Sequence, residues 1–105
     1  MNKILITGGS GLLGSNIAKF AASKFEVYAT YNKNEVSMED VHFFQADLTK
    51  KEELVKIEHI NPDFIIHCAA LTNVDYCEDH PDEAYTQNVL ASVNLAEISR
   101  KIDAY

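Results

Sequence analysis

Glycine is missing from most of this chain. All four glycines fall between Gly8 and Gly14, and the rest of the 105 residues are built without any. Basic residues are also scarce: 9 Lys and Arg against 16 Asp and Glu leave a formal charge of −7. Nucleic acid and anionic membrane surfaces reward clustered Lys and Arg, so this balance argues against both as partners. No apolar run approaches the roughly eighteen residues that span a bilayer. The apolar segment within Met1–Thr7 is too short for a secretory signal and runs straight into glycine. Repeats, linkers and low-complexity segments are absent. Two cysteines, Cys68 and Cys77, read as reduced thiols of a soluble cytoplasmic protein.

What is present suits one small domain with a real core: 47% of the residues are apolar and 24% charged. Lys3–Thr7 reads as a buried strand stopped by Gly8. From Leu13 the spacing becomes helical, with Leu13, Ile17, Phe20 and Ala21 on one face. Phe25–Thr30 and Val41–Ala46 read as strands, separated by a polar loop over Tyr31–Asp40. Thr49, Lys50, Lys51 and Glu52 have capping-box spacing and open a helix to about His59, which Asn61-Pro62-Asp63 breaks. Phe64–Ala70 is nearly continuous in apolar residues, as in a strand covered on both faces. A last helix starts near Pro81 with Asp79 as N-cap, and carries Ala84, Ala91, Leu95, Ile98 and Ile102 along one face. Strands alternating with helices predict an α/β fold, a doubly wound Rossmann-like parallel sheet ordered 3-2-1-4.

The glycines have a physical reading. Gly8, Gly11 and Gly14 recur every third residue between a strand and a helix. There the chain must turn sharply, let its backbone approach a pyrophosphate, and pack the new helix on the sheet. The helix N-terminus adds unpaired N–H groups and partial positive charge, and Ser10 adds a hydroxyl. A ligand-free tight turn is the plainer alternative; the flanking strand and helix favour a dinucleotide. At the tip of the second strand the chain reads Thr30-Tyr31-Asn32-Lys33, with no acid before Glu35. An acid there would bond ribose hydroxyls and repel a 2′-phosphate, whereas Lys33 can pair with one. The tip therefore leans to NADPH, with NADH as the alternative and a solvated Lys33 as the bland case.

Thr7-Gly8-Gly9-Ser10-Gly11-Leu12-Leu13-Gly14 resembles the T-G-x-x-G-x-x-G fingerprint of the extended short-chain dehydrogenase/reductases. Asp47-Leu48 resembles that family's aspartate and aliphatic pair, which implies that Asp47 meets the adenine amino group. His67-Cys68-Ala69-Ala70 is similar to the fourth-strand segment that runs along the cofactor, and implies that Ala69, Ala70, Leu71 and Thr72 line the nicotinamide ribose. The run from Ala69 through Thr72, Val74, Asp75, Glu78, Pro81 and Ala84 to Asn88 resembles the dTDP-4-dehydrorhamnose reductases. The resemblance covers the whole chain and implies residues 1–105 are an N-terminal NAD(P)-binding domain. It further implies hydride transfer from a nicotinamide to the 4-keto group of a nucleotide sugar, in surface polysaccharide synthesis, and pairing as a homodimer. Asn88 would then hold backbone and water near the reacting centre, with Thr72 and Asp75 beside nicotinamide and sugar.

Each of these has a plainer reading. Asn88 shares a helix face with Ala84, Ala91 and Leu95, where a buried amide must find partners or cost about 1–3 kcal/mol; packing alone would explain it. Thr72 and Asp75 could cap the turn into the last helix. A metal site at His67, Cys68, Cys77 and His80 is disfavoured, because neighbours on a strand point to opposite faces. Cys68 suits a small core position instead.

The family's Tyr-x-x-x-Lys pair has no counterpart, since no tyrosine here precedes a lysine by four positions. No catalytic acid is therefore expected within these residues, and the fourth strand would form a sheet edge. The expectation is a piece of a longer reductase. A non-catalytic dinucleotide-binding subunit, like the methionine adenosyltransferase β subunit, or an epimerase or dehydratase of the same superfamily, are the alternatives.

Overall fold

The computed structural model describes residues 2–9, 12–31, 37–68 and 81–105, without the side chains of 12 and 81–88. Its elements are β1 (Lys3–Thr7), α1 (Leu12–Ala21), β2 (Glu26–Tyr31), β3 (Val41–Gln45), α2 (Val55–Ile60), β4 (Phe64–His67) and α3 (Pro81–Ile102). The strands form one sheet in the order β3-β2-β1-β4, with every neighbouring pair parallel.

Strand alternation sorts the core into two layers. Leu5 faces one side with Tyr28, Phe44 and Ile65, against Leu54, Ile57, Ala91, Leu95 and Ile98 from α2, α3 and the turn before α2. Ile4, Ile6, Val27 and Ala29 face the other, against Ala18 and Ala21 of α1. Helices thus cover both faces of a sheet whose central strand, β1, is buried from Ile4 to Thr7.

Several expectations need correction. On α1, Leu13 and Phe20 point outward, 65% and 71% exposed, while Ala18 and Ala21 face the sheet. The helix lies too close to the strands to seat large side chains there. Phe20 instead lies beneath the Lys24 ammonium, 4.9 Å from the ring centroid. The capping box does not form. The chain enters α2 through a 3-10 turn, Lys51–Leu54, whose cap residue is Lys50, a side chain with no acceptor to cap with, while the Thr49 hydroxyl donates to Asp47 Oδ1. Asn61 then ends α2 in the left-handed region, φ 52°.

Phe64–His67 is less covered than its apolar run implies: Phe64, Ile65 and Ile66 are half-buried and His67 is exposed. Ala69 and Ala70 lie outside the described residues, as does the Asp79 cap. The edge of β4 is also not bare. Asp103, at φ 59°, turns the chain after α3, with Ala104 N–H bonded to Ser99 O and Asp103 N–H to Arg100 O. Tyr105 is thereby laid beside Phe64. Its N–H donates to Asp63 O at 3.1 Å, its carbonyl accepts from Ile65 N–H at 2.7 Å, and the two rings stack 6.0 Å apart.

Candidate functional site

Because the strands are parallel, their carboxyl ends lie along one edge of the sheet, and the candidate residues gather there. β1 ends at Thr7 and the chain turns at Gly8, whose φ of 71° suits glycine. Gly8 N–H donates to Thr30 Oγ1 at 3.2 Å, and Gly9 N–H to Thr30 O at 2.8 Å. The buried Thr30 thus fastens the turn to β2 and occupies the first two glycine amides. Among the described residues, further donors for an anion stand at the start of α1, whose opening N–H groups have no intrahelical partners and whose first turn carries no acid.

Two glycines here are demanded by space. A Cβ on Gly14 would overlap the Gly8 carbonyl oxygen, so α1 can start this close to the turn only because Gly14 lacks one. A Cβ on Gly9 would stand 2.6 Å from Ala29 Cβ and 3.0 Å from the Phe43 ring. Gly9 is not a fingerprint position, and only the contact with the sheet reveals its role.

At the end of β4, Thr7 and His67 stand opposite each other in register. The Thr7 hydroxyl lies 3.0 Å from Cys68 N, whose N–H it accepts, and 2.7 Å from His67 Nδ1. Either ring tautomer satisfies the Thr7–His67 contact, since a hydroxyl both donates and accepts. Burial of part of the ring lowers the His67 pKa, although its other side reaches solvent. The ring is therefore neutral at neutral pH. Cys68 packs against the α1-side core, and burial raises its pKa, keeping it a thiol.

After β3, Asp47 begins a turn closed by Lys50 N–H donating to Asp47 O at 3.1 Å. Asp47 Oδ1 accepts from both Thr49 Oγ1 (2.6 Å) and Thr49 N–H (3.0 Å). The Thr49 hydroxyl, opposed by partial burial and aided by the Thr49 N–H and the Lys50 charge, lowers the Asp47 pKa. An ionised carboxylate results, with Oδ2 left to accept from a ligand amine. Leu48 alternates inward and is buried, so the pair divides into a polar outer member and an apolar anchor.

The structure therefore brings Thr7, Gly8, Gly14, Tyr31, Asp47, Leu48 and Cys68 to one sheet edge, with Leu12 and the exposed Leu13 opening α1. Ser10, Gly11, Asn32, Lys33, Ala69, Ala70, Leu71, Thr72 and Asp75 lie outside the described residues. So does Cys77, and Asn88 is placed only as a position on α3. A groove of about 690 Å³, lined by Phe25, Asp40 and His42, opens at the starts of β2 and β3, away from this edge. The residue that sequence reading missed is Asn94. It is fully buried on α3, and its Nδ2 donates to Leu48 O at 2.8 Å.

The arrangement suits a dinucleotide: a helix start for phosphates, an ionised acceptor for an adenine amine, and strand ends between them. A family model described as RmlD substrate binding domain matches residues 1–105. A dTDP-4-dehydrorhamnose reductase of Mycolicibacterium smegmatis is 33% identical over 102 residues, covering 97% of this chain and 28% of that protein. The structure of a hypothetical dTDP-4-dehydrorhamnose reductase from Sulfolobus tokodaii superposes with a TM-score of 0.86 at 35% identity, over 100% of this chain and 37% of the other. A UDP-glucose 4-epimerase of Thermus thermophilus, solved in complex with NAD, also gives 0.86 at 30% identity, over 97% of this chain and 35% of its own. The chain thus spans about a third of the length of the relatives it matches.

Proposed function

The chain belongs to the RmlD substrate binding domain family, and from that premise we propose that it is the dinucleotide-binding part of a nucleotide-sugar reductase. The single observation that carries this reading is the pairing of the α1 start with Asp47 along one sheet edge. The first suits a pyrophosphate and the second an adenine, at the two places where a dinucleotide needs them.

In this reading the opening N–H groups of α1 bind the pyrophosphate, Gly14 keeps that helix close enough to do so, and Asp47 Oδ2 accepts from the adenine amino group. Ala69, Ala70, Leu71 and Thr72 follow β4 and line the nicotinamide ribose, with Asn88, Thr72 and Asp75 supporting the reacting centre. The cofactor, when bound, supplies a hydride to a sugar carbonyl; the residues of this chain bind and orient it. We favour NADPH, because the tip of β2 carries no acid to repel a 2′-phosphate and Lys33 follows it. The relatives named as reductases favour reduction of a 4-keto nucleotide sugar over epimerisation.

The test is to incubate the full-length protein with NADPH and dTDP-4-keto-6-deoxy sugars and follow oxidation of the cofactor. Oxidation that depends on the sugar nucleotide supports the reading. Interconversion of UDP-glucose and UDP-galactose with no net oxidation would replace it with epimerase chemistry.

A further inference from the structure

Asn94 is the one buried side chain on the inner face of α3, among the described residues, that is not apolar. Ala91, Leu95 and Ile98 around it pack in the core with Leu48. Its carboxamide is only half used: Nδ2 donates to Leu48 O at 2.8 Å, while Oδ1 is buried with no hydrogen-bond partner. A buried amide with an orphaned acceptor carries a desolvation cost, and an apolar side chain of the same size would remove that cost only by taking a donor from the Leu48 carbonyl. The half-used amide alone therefore does not explain the asparagine.

The peptide unit that it touches does. The Leu48 carbonyl belongs to the same planar group as the Thr49 N–H, and that N–H donates to Asp47 Oδ1 at 3.0 Å. A continuous line therefore runs from Asn94 Nδ2 through the Leu48–Thr49 peptide to the Asp47 carboxylate. Rotation of that peptide plane would swing the Thr49 N–H away from Asp47. Asn94 opposes that rotation from the buried side, and Thr49 Oγ1 holds the carboxylate from the open side at 2.6 Å. The core anchor at Leu48 fixes the position of the turn, but a side-chain anchor does not fix the tilt of the next peptide.

We propose that Asn94 is a positioning residue for purine recognition: it sets the Leu48–Thr49 peptide so that Asp47 presents Oδ2 to a 6-amino purine. The proposal rests on the dinucleotide reading above and extends it by assigning selectivity for adenine over 6-oxo purines to a residue of α3 that does not itself reach the ligand.

The test compares NADPH with deamino-NADPH, whose 6-amino group is replaced by oxygen, in the full-length protein and in Asn94→Leu. Wild type is expected to prefer NADPH by about tenfold, as a charged hydrogen bond supplies. Asn94→Leu is expected to reduce that preference to about twofold or less while changing affinity for deamino-NADPH little, a pattern that general loosening of the fold would not produce. Asn94→Leu in an Asp47→Asn background should add no further loss of preference. Full preference retained in Asn94→Leu overturns the inference and leaves the dinucleotide reading intact. No preference in wild type overturns the inference together with the assignment of Asp47, and no binding of either compound removes the dinucleotide reading as well. Should Asn94→Leu fail to fold, the Asn94 side-chain amide signals of the wild type decide. They are expected to shift on adding 5′-AMP and not on adding 5′-IMP; an equal response to both, or to neither, overturns the proposal.

Discussion

The Thr7 hydroxyl bridges two strands, 2.7 Å from His67 Nδ1 and 3.0 Å from Cys68 N, where β1 and β4 end together. Partial burial lowers the His67 pKa from its ordinary 6.5. The folded ring resists a proton that the unfolded chain accepts. The contribution to stability is therefore complete above about pH 6.5 and is lost as pH falls through the lower folded pKa. Ring NMR should show His67 titrating below 6.5. A titration at or above 6.5 in the wild type would contradict the assignment.

Gly14→Ala sets two effects against each other. Alanine improves helix propensity by about 1 kcal/mol. Its Cβ, however, would overlap the Gly8 carbonyl oxygen, a backbone atom with no freedom to rotate away. Overpacking of this kind costs about 1–3 kcal/mol, so a net loss is expected in denaturant unfolding. Displacement of the α1 start should weaken dinucleotide binding beyond detection at micromolar protein. A more stable variant with intact binding would refute the steric account.

Thr30→Val keeps the side-chain volume and removes the acceptor of the Gly8 N–H. The bond is part-buried and Thr30 itself is 1% exposed, so losing this acceptor is expected to cost about 1–3 kcal/mol. Thr30→Ser retains the oxygen and should recover most of the loss. Equal stability of the valine and serine variants would show that the hydroxyl does not hold the turn.

Asp47→Asn keeps an oxygen for Thr49 but places an amide where Oδ2 now stands. Two amines would then face each other, and affinity for adenine dinucleotides should fall about tenfold or more. Calorimetric titration of the wild type and the variant with 5′-AMP isolates this end of the ligand. Unchanged affinity would separate Asp47 from the adenine.

The parts of this design legible in the sequence are those carried by local pattern. The apolar runs marked β1–β4, alternation with helices gave their order, and Gly8–Gly14 located the turn. Facing side chains were less legible. Leu13 and Phe20 share the spacing of an inward face, yet small residues face the sheet because Gly14 draws α1 in too closely for large ones. Thr49 has the spacing of a helix cap, but the helical turn begins one residue later, after Lys50, and the Thr49 hydroxyl donates to Asp47 instead. Asn94 lies 46 positions from the carbonyl it binds, and no local pattern reports a contact at that separation.

The most direct measurement is a titration of the full-length protein with NADPH, followed by quenching of protein fluorescence or by calorimetry. The account predicts saturable one-to-one binding that Gly14→Ala abolishes and that 5′-AMP displaces competitively. Absence of saturable binding by NADPH and NADH alike, in a protein shown to be folded, would contradict its central claim.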